Sequence, residues 1–231
     1  MLQSEEMKRK YPAGDLLIPK RLEMMKQLSL IGKRFVAPNT VDLRDYCSRT
    51  RDQGNKPWCA AYAAAGFASN ILWRKNDYPE DIDAASIYGY AKCHDESPNS
   101  NGTTLDAALD ALLEFKYFSR EFCSIRMLRN TTQVKYAIHK FGCCLLGMIV
   151  TNEWYDCNKR KSTISGKKHN EPLGGHAVLC CGHNKHGVII QNSWSEAWGQ
   201  YGFALVTWEE FEREFSYGAV IDNCLYDMKM N

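Results

Sequence analysis

The pattern of apolar and polar positions predicts helices in the first half of the chain. Segment Cys59–Lys75 is rich in alanine and has no proline, which predicts a buried helix with a closely packed face of small residues. A second helix is predicted over residues 84–92. A third is predicted to begin at a cap, Thr103 or Thr104. Its apolar positions share one helical face: Leu105, Ala108, Leu109, Leu112 and Leu113.

Beyond residue 130 short apolar runs alternate with glycines and polar turns, a pattern typical of strands. One more short helix is predicted over residues 134–140. The predicted strands are Cys143–Val150, His176–Cys181, Gly187–Gln191 and Gly202–Thr207. Helices followed by strands predict an α+β protein of two lobes, and a ligand is expected in the cleft between them.

The first residues have a different character. A turn is expected around Pro12–Gly14 and a helix over Arg21–Ile31. Residues 1–34 carry eight Lys and Arg against four Asp and Glu, which favours an arm that docks on its own domain. The predicted organisation is an N-terminal leader or short propeptide-like arm over 1–38 and a main domain over 39–231, with a helical lobe over about 41–125 and a β lobe over about 126–220.

Composition excludes several classes of protein. The 231 residues are 45% hydrophobic and 24% charged, as in soluble domains, which argues against a disordered or fibrous chain. The longest apolar stretch, Cys143–Val150, is far short of the ~20 residues of a membrane-spanning helix, so no stable membrane insertion is expected. A net charge of +2 gives little reason to expect nucleic acid. The charged first residues lack the apolar centre of a secretory signal, so a cytoplasmic location or export by a signal-peptide-independent route is expected.

Ten cysteines make up roughly 4% of the chain, below the ~8–10% typical of a small disulfide scaffold. Four lie in two apolar runs and are predicted to belong to the core: Cys143, Cys144, Cys180 and Cys181. The run Cys180–His186 admits a metal-binding interpretation. Zinc ligands usually come from two separate knuckles, however, so neither a metal nor a cofactor is predicted.

Three segments place an unusual residue at the boundary of an element. Cys59 follows a polar loop and lies at a predicted helix start, where free N–H groups and the helix dipole favour a thiolate. His176 follows two glycines that let another backbone approach closely, and it begins a strand. The segment Gln191–Gly202 follows an apolar strand. Taken singly, these are also what a buried cysteine, a structural histidine and a decorated hairpin look like.

Together, in this order, the three segments resemble the papain-like cysteine peptidases from about Val41 to Phe211. The similar pieces are Val41–Arg44 at the mature start, Asp52-Gln53-Gly54 with Cys59 in the nucleophile loop, Gly175–Val178 in the histidine strand, and Asn192-Ser193-Trp194 with Trp198-Gly199 and Gly202. The last piece is the most specific. The resemblance implies a helical first lobe, a β-barrel-like second lobe and an active site in the cleft between them.

The resemblance also implies a function, the hydrolysis of peptide bonds by a thiol protease. Cys59 would be the nucleophile, paired with His176 as thiolate and imidazolium. Asn192 would orient the imidazole. The side-chain amide of Gln53 and the backbone N–H of Cys59 would form the oxyanion hole. Trp194 would cover the contact between His176 and Asn192.

The same resemblance assigns a substrate cleft and a partner. The expected cleft residues are Asn101, Gly102, Gly175 and Trp194. The glycine-containing wall at residues 101–102 is expected to bind the substrate backbone in extended form. The partner is a protein or peptide substrate, without a cofactor. Endopeptidase or exopeptidase action and the oligomeric state stay open.

The nucleophile loop departs from the family pattern. Lys56–Trp58 stand where the family has Cys-Gly-Ser, and an alanine follows the nucleophile where the family has an aromatic residue. Lys56 and Ser100 occupy the positions of a family disulfide, so both halves of that bridge are missing together. Such a paired loss is typical of a chain in a reducing compartment. Cys93 and Cys123 are left as candidates for a bridge.

The loop over residues 156–175 is basic. Its cations are Lys159, Arg160, Lys161, Lys167 and Lys168. They are expected to belong to a solvated loop, and the alternative is that they guide acidic substrates or an anionic membrane surface to the cleft.

Two alternative functions compete with peptide hydrolysis. The same triad also performs other acyl transfers, as in a deamidase, a transglutaminase or a deubiquitinase. The second alternative is a catalytically silent peptide-binding module. The presence of Gln53, Cys59, His176 and Asn192 together argues against that module.

Overall fold

The structure is a computed structural model, and it describes residues 2–14, 35–76, 80–97, 99–121, 123–166 and 171–222. The predicted helix Arg21–Ile31 lies outside the described residues, as do Cys224 and two of the basic loop residues, Lys167 and Lys168.

The helices of the described ranges are α1 (Leu2–Lys10), α2 (Cys59–Asn76), α3 (Ala84–His94), α4 (Leu105–Glu114), α5 (Thr131–Phe141), α6 (Asn152–Tyr155) and α7 (Trp208–Glu214), with a short 3-10 helix at Arg44–Tyr46. The three helices predicted in the first half are confirmed as α2, α3 and α4, and the short one predicted over residues 134–140 is α5. The short helices α1, α6 and α7 were not predicted.

Side-chain caps explain where three of these helices begin. Asp83, Thr104 and Asn130 precede α3, α4 and α5, and each accepts a hydrogen bond from a backbone N–H two or three residues further on. Such caps satisfy donors that the first helical turn leaves free. Thr104, rather than Thr103, therefore caps α4.

The strands are β1 (Val41–Asp42), β2 (Ser124–Leu128), β3 (Cys144–Val150), β4 (Thr163–Ile164), β5 (Gly174–His183), β6 (Gly187–Gln191), β7 (Phe203–Thr207) and β8 (Phe215–Asp222). They form one sheet in the order β2-β8-β3-β5-β6-β7-β4, with β1 added to β5. The pairings are antiparallel, apart from a short parallel one between β4 and β7. The four strands predicted from apolar runs are confirmed as β3, β5, β6 and β7.

Strand β5 lies in the middle of this sheet, and its residues from 175 to 183 are buried. It pairs with β3 along seven residues, from Val150 opposite Gly174 to Cys144 opposite Cys180, and with β6 on its other side. Burial on both faces explains why its sequence is continuously apolar instead of alternating. The four cysteines predicted in the core are confirmed there, each fully buried.

Helix α2 packs against β5, which is why its sequence is rich in small residues. A Cβ atom added at Gly66 would lie 3.3 Å from Cδ2 of Leu179 on β5. The helix and the strand therefore approach closely, and their packing fixes the start of α2 against the sheet. Helices α3 and α4 pack against α2 and against each other. The predicted α+β architecture is thus confirmed, whereas the residue bounds of its two lobes stay a prediction.

The described residues before the main fold, 2–14, are called here the N-terminal segment. Its helix α1 contacts α6, and its last residue, Gly14, pairs with Gly175 at the start of β5. In the part of the chain that the structure describes, no helix is long and apolar enough to cross a bilayer.

Candidate active site

Cys59 is the first residue of α2, at the helix start that the sequence predicted. Its sulfur faces three backbone N–H groups, those of Ala177, Ala60 and Cys59 itself, and each of them lowers the pKa of the thiol. Burial has the larger effect, however, and raises the pKa above its ordinary value. Since Ala177 follows His176, this contact brings the thiol to the strand that carries the histidine.

His176 is the third residue of β5 and only 4% exposed. Its Nε2 lies 2.7 Å from Oδ1 of Asn192, the residue that follows β6. Because a side-chain amide oxygen only accepts, Nε2 carries the hydrogen and donates it. In the neutral imidazole Nδ1 is then the bare nitrogen, which is able to accept a proton.

The predicted thiolate–imidazolium pair stays a prediction. Burial lowers the pKa of His176 to about 4, and the hydrogen bond to Asn192 offsets this only in part. Burial likewise raises the pKa of Cys59. Loss of water disfavours the charged form of either group, whereas the attraction between opposite charges would favour the pair.

Gln53 lies on the loop before α2 and is buried. Its Oε1 accepts a hydrogen bond of 2.6 Å from Oγ of Ser193, and its Nε2 donates to the carbonyl of Lys56 at 2.9 Å. An amide nitrogen has two hydrogens, so one N–H is left for another acceptor. The backbone N–H of Gln53 also donates to the carbonyl of Ser193, which ties this loop to the residue next to Asn192.

An aromatic layer, formed by Trp154, Trp194 and Trp198, covers His176. The ring of Trp194 lies 4.7 Å from the imidazole, centroid to centroid, and Trp194 is 1% exposed. Trp154 approaches the same imidazole edge-on at 6.2 Å and stacks on Trp198 at 6.1 Å. The structure thus places Trp194 where the resemblance assigns a cover. Trp154 was not predicted, although it stands in an aromatic pair just after the apolar run of β3.

The expected cleft wall, Asn101 and Gly102, lies on the loop before α4. Tyr88 on α3 donates its hydroxyl hydrogen to the carbonyl of Asn101 at 2.7 Å, and its ring stacks on Trp58 at 4.8 Å. The ammonium of Lys56 lies 4.4 Å from the Trp58 ring. A cation–π contact, a ring stack and a hydrogen bond therefore connect the nucleophile loop to the wall. In the family that the sequence resembles, a disulfide is expected at this place.

The other cysteines that the structure describes are not among the contacts of Cys59 or His176. No disulfide joins Cys93, which is exposed on α3, to the buried Cys123, so the bridge considered between them is not formed. Cys47 and Cys157 are buried. Over the described ranges, no group of three or more His, Cys, Asp or Glu side chains is arranged to hold a metal ion.

Two of the cations in the basic loop contact their own chain. Lys161 forms an ion pair of 3.2 Å with the buried Glu153, and the ammonium of Lys159 lies 4.7 Å from the ring of Tyr201. The guidance of acidic substrates by this loop stays a hypothesis.

The N-terminal segment contacts the strand of His176 directly. The N–H of Gly175 donates to the carbonyl of Gly14 at 2.6 Å, and the N–H of Gly14 donates back at 3.3 Å. At Gly174 φ is +151°, and a Cβ there would lie 2.6 Å from the oxygen of Gly14. The two glycines before His176 therefore allow another backbone to approach closely, as predicted, and that backbone is the chain's own.

Tyr11 holds the same segment over the aromatic layer. Its ring is fully buried and stacks on Trp194 at 5.5 Å. Its hydroxyl donates to Asp52 at 2.8 Å, Lys10 forms an ion pair of 2.8 Å with the same carboxylate, and Tyr155 donates to the Tyr11 carbonyl at 2.9 Å. The segment thus covers two of the expected cleft residues, Gly175 and Trp194.

Solved structures share this architecture. Xylellain, a cysteine protease from Xylella fastidiosa, superposes with a TM-score of 0.70 over 93% of this chain and 97% of its own, at 18% identity. A recombinant stem bromelain precursor gives a TM-score of 0.71 over 94% of this chain and 79% of its own, at 16% identity. This chain has the papain-like cysteine protease fold. The papain-like architecture predicted from the sequence is therefore confirmed.

Procathepsin B S9 from Trypanosoma congolense has the same papain-like fold, with a TM-score of 0.68 over 94% of this chain and 87% of its own, at 15% identity. In sequence, the chain is 24% identical over 223 residues to a curated protein of Blomia tropicalis named "Cysteine protease". That match covers 80% of this chain and 66% of the relative, just under two thirds of its length. No family model matches the chain.

Proposed function

We propose that this chain is a cysteine peptidase that hydrolyses peptide bonds through an acyl-enzyme on Cys59. One observation carries the proposal, the hydrogen bond between Nε2 of His176 and Oδ1 of Asn192. It leaves Nδ1 as a base on the strand that the Cys59 sulfur contacts. The papain-like fold and the distant likeness to a cysteine protease support it.

The proposed first half-reaction is acylation. The sulfur of Cys59 attacks the substrate carbonyl carbon while its proton passes to Nδ1 of His176. We propose that this transfer accompanies the attack, because burial disfavours the charged form of both groups. The carbonyl oxygen becomes an oxyanion, which accepts hydrogen bonds from the backbone N–H of Cys59 and the remaining N–H of Gln53. The C–N bond then breaks, and His176 gives its proton to the leaving amine.

Deacylation restores the enzyme. A water molecule attacks the thioester and gives one proton to His176, the C–S bond breaks, and the proton returns to the sulfur. The products are a carboxylic acid and an amine, and the residues involved need no cofactor. The proposed substrate is a protein or peptide whose backbone lies between the wall at Asn101 and the start of β5.

The test is covalent labelling with an epoxide probe for cysteine peptidases, followed by mass spectrometry to locate the label. We expect label on Cys59, its loss in Cys59→Ala and its retention in Cys93→Ala, because Cys93 is an exposed free thiol outside the site. Folded protein with no label on Cys59, or with label only on Cys93, would count against the proposal.

Incubation with a peptide mixture then distinguishes the reactions that share acylation. New carboxyl and amino termini indicate hydrolysis. Amine-transfer products or deamidated glutamine would instead favour another acyl transfer on the same residues. Labelled Cys59 without any turnover would favour a silent binding module.

A further inference from the structure

Two buried glutamates lie behind the aromatic layer that covers His176. Glu214 ends α7 and is 3% exposed, and Glu210, one turn earlier, is fully buried. The carboxyl oxygens of Glu214 accept two hydrogen bonds, from Nε1 of Trp154 at 2.9 Å and from Oγ1 of Thr151 at 3.1 Å. A carboxyl group of α7 thereby holds an indole of α6.

Glu210 has one oxygen in need of a donor. Its Oε2 accepts from the guanidinium of Arg213, whereas its buried Oε1 has no hydrogen-bond partner. A proton on Glu214 would supply that donor, because the two buried carboxyl groups lie one turn apart on α7 and an interaction with Glu210 raises the pKa of Glu214. The pair then carries one negative charge instead of two, which a buried site tolerates far better.

The surroundings favour this shared proton. Burial, followed by the Glu210 carboxyl, raises the pKa of Glu214 to about 8. The ionisable groups packed around the pair are Arg213 on α7, Glu153 on α6 with its partner Lys161, and the thiol of Cys157. Arg213 binds Glu210 and Lys161 binds Glu153, so no cation that the structure describes contacts Glu214 itself.

Trp154 connects this pair to the site. Its indole, held by Glu214, meets the imidazole of His176 edge-on, and its backbone carbonyl accepts a hydrogen bond of 2.7 Å from Nε1 of Trp198. A shift of Trp154 would therefore move both the support of His176 and the aromatic layer around it.

We propose that Glu214, sharing a proton with Glu210, is a positioning residue that holds Trp154 against His176. The inference rests on the proposed peptidase function. When the shared proton is lost, two adjacent buried carboxylates repel each other and the support of His176 loosens. Catalysis therefore requires the protonated pair, and it weakens in alkaline solution.

The experiment compares kcat and KM from about pH 6 to about pH 9.5 for the wild type, Glu214→Gln and Glu214→Leu. A group with a pKa of about 8 is about one-tenth protonated at pH 9, so kcat of the wild type should fall about tenfold between pH 7 and pH 9. The neutral amide of Glu214→Gln still donates to Glu210 and accepts from Trp154. It should keep kcat within about threefold at pH 7 and lose the alkaline decline.

Glu214→Leu removes the acceptor of the Trp154 indole, so kcat should fall about tenfold at every pH with little change in KM. The matched control is Glu212→Gln on the same helix, whose side chain is exposed and which should keep the wild-type profile. An alkaline decline in Glu214→Gln equal to that of the wild type would overturn the proposal. If Glu214→Leu does not fold, the comparison of the wild type with Glu214→Gln decides by itself.

Infrared spectroscopy gives a readout that needs no turnover. The carbonyl band of a protonated carboxylic acid should be present in the wild type at pH 7, disappear above about pH 8 and be missing in Glu214→Gln. An active enzyme without this band refutes the shared proton but not the peptidase. The band in a protein that neither cleaves peptides nor takes label on Cys59 refutes the peptidase and, with it, the role of Glu214 in catalysis.

Discussion

Burial shifts the pKa of Cys59 upwards and that of His176 downwards. The helix start does act on the thiol as expected, since the N–H groups of Cys59 and Ala60 lower its pKa, yet the loss of water acts more strongly in the opposite direction. For His176 the pKa falls to about 4 for the same reason. Burial thus disfavours the charged form of both side chains.

A pH profile tests the lowered pKa of His176. His176 accepts a proton only when it is neutral, so the acid limb of kcat/KM should lie near its pKa of about 4 rather than near the ordinary 6.5. An acid limb near the ordinary value would instead show an imidazolium in the free enzyme.

The same shift makes the free energy of unfolding depend on pH. The unfolded chain binds a proton on His176 below about pH 6.5, whereas the folded chain binds it only below about pH 4. The contribution of His176 to the free energy of unfolding is therefore complete above about pH 6.5, and it is lost as the pH falls from about 6.5 to about 4. Denaturation of the wild type should show this loss, and His176→Gln should show less of it.

Non-covalent contacts connect the nucleophile loop to the cleft wall at the place where the resemblance implies a disulfide. The family disulfide implied by the resemblance is replaced by contacts of Lys56, Trp58 and Tyr88, ending on the carbonyl of Asn101. These contacts join the nucleophile loop to the cleft wall without thiol chemistry. They are compatible with the absence of a disulfide among the described cysteines.

At the scale of elements, the packing of α2 on β5 determines where Cys59 lies relative to His176. Small residues along the buried face of α2 allow this close approach, with Gly66 against Leu179. The helix carries Cys59 and the strand carries His176, so their spacing also sets the geometry of the candidate site.

Two glycine substitutions test this packing. Gly66→Val adds side-chain atoms where even a Cβ would lie 3.3 Å from Leu179, so it should lower the free energy of unfolding by about 1–3 kcal/mol. Gly89→Ala on α3 is the matched control, because nothing lies within 4 Å of a Cβ there. It should instead raise stability by about 0.5–1 kcal/mol, through helix propensity. Urea denaturation measures the free energy of unfolding of both variants. If that of Gly66→Val equals the wild-type value, the interface between α2 and β5 is loosely packed.

At the scale of the whole molecule, the N-terminal segment joins the two parts of the fold. Lys10 and Tyr11 bind Asp52 on the loop before α2, whereas Tyr155 and Gly175 bind the segment from the sheet side. It therefore occupies backbone groups of Gly175 and the face of Trp194, which the resemblance assigns to substrate.

Weakening this segment should expose the cleft. Tyr11→Ala removes the stack on Trp194 and the hydrogen bond to Asp52, so peptidase activity should rise about tenfold, as expected for contacts worth about 1–2 kcal/mol. Lys8→Ala is the control, because among the described residues Lys8 pairs with Glu5 on its own helix. Deletion of residues 1–37 should raise peptidase activity more than Tyr11→Ala does.

The same variants distinguish two roles of the N-terminal segment, restriction of the cleft and support of the fold. If Tyr11→Ala folds and its activity stays equal to that of the control, the segment does not restrict the cleft. If the deletion abolishes folding, as judged by circular dichroism, the segment is a permanent structural arm.

Much of the fold was predictable because its determinants are local. The caps at Asp83, Thr104 and Asn130 and the spacing of apolar residues are properties of neighbouring positions. Strands β2 and β8 were missed because they pair residues about a hundred positions apart, such as Ser124 with Asp222. A pairing of that kind leaves little trace in either segment alone.

The sequence by itself determined the order of helices and strands, the helix start at Cys59, the glycines before His176 and the resemblance that assigned the site residues. Only the tertiary structure decided how burial shifts the pKa values of the site, what covers the cleft and which carboxyl group holds Trp154. The physical reason is that helix starts and turns depend on adjacent residues, whereas desolvation and side-chain contacts depend on which distant segments meet. Glu214 and His176 are far apart in sequence, and one indole between them joins them in the fold.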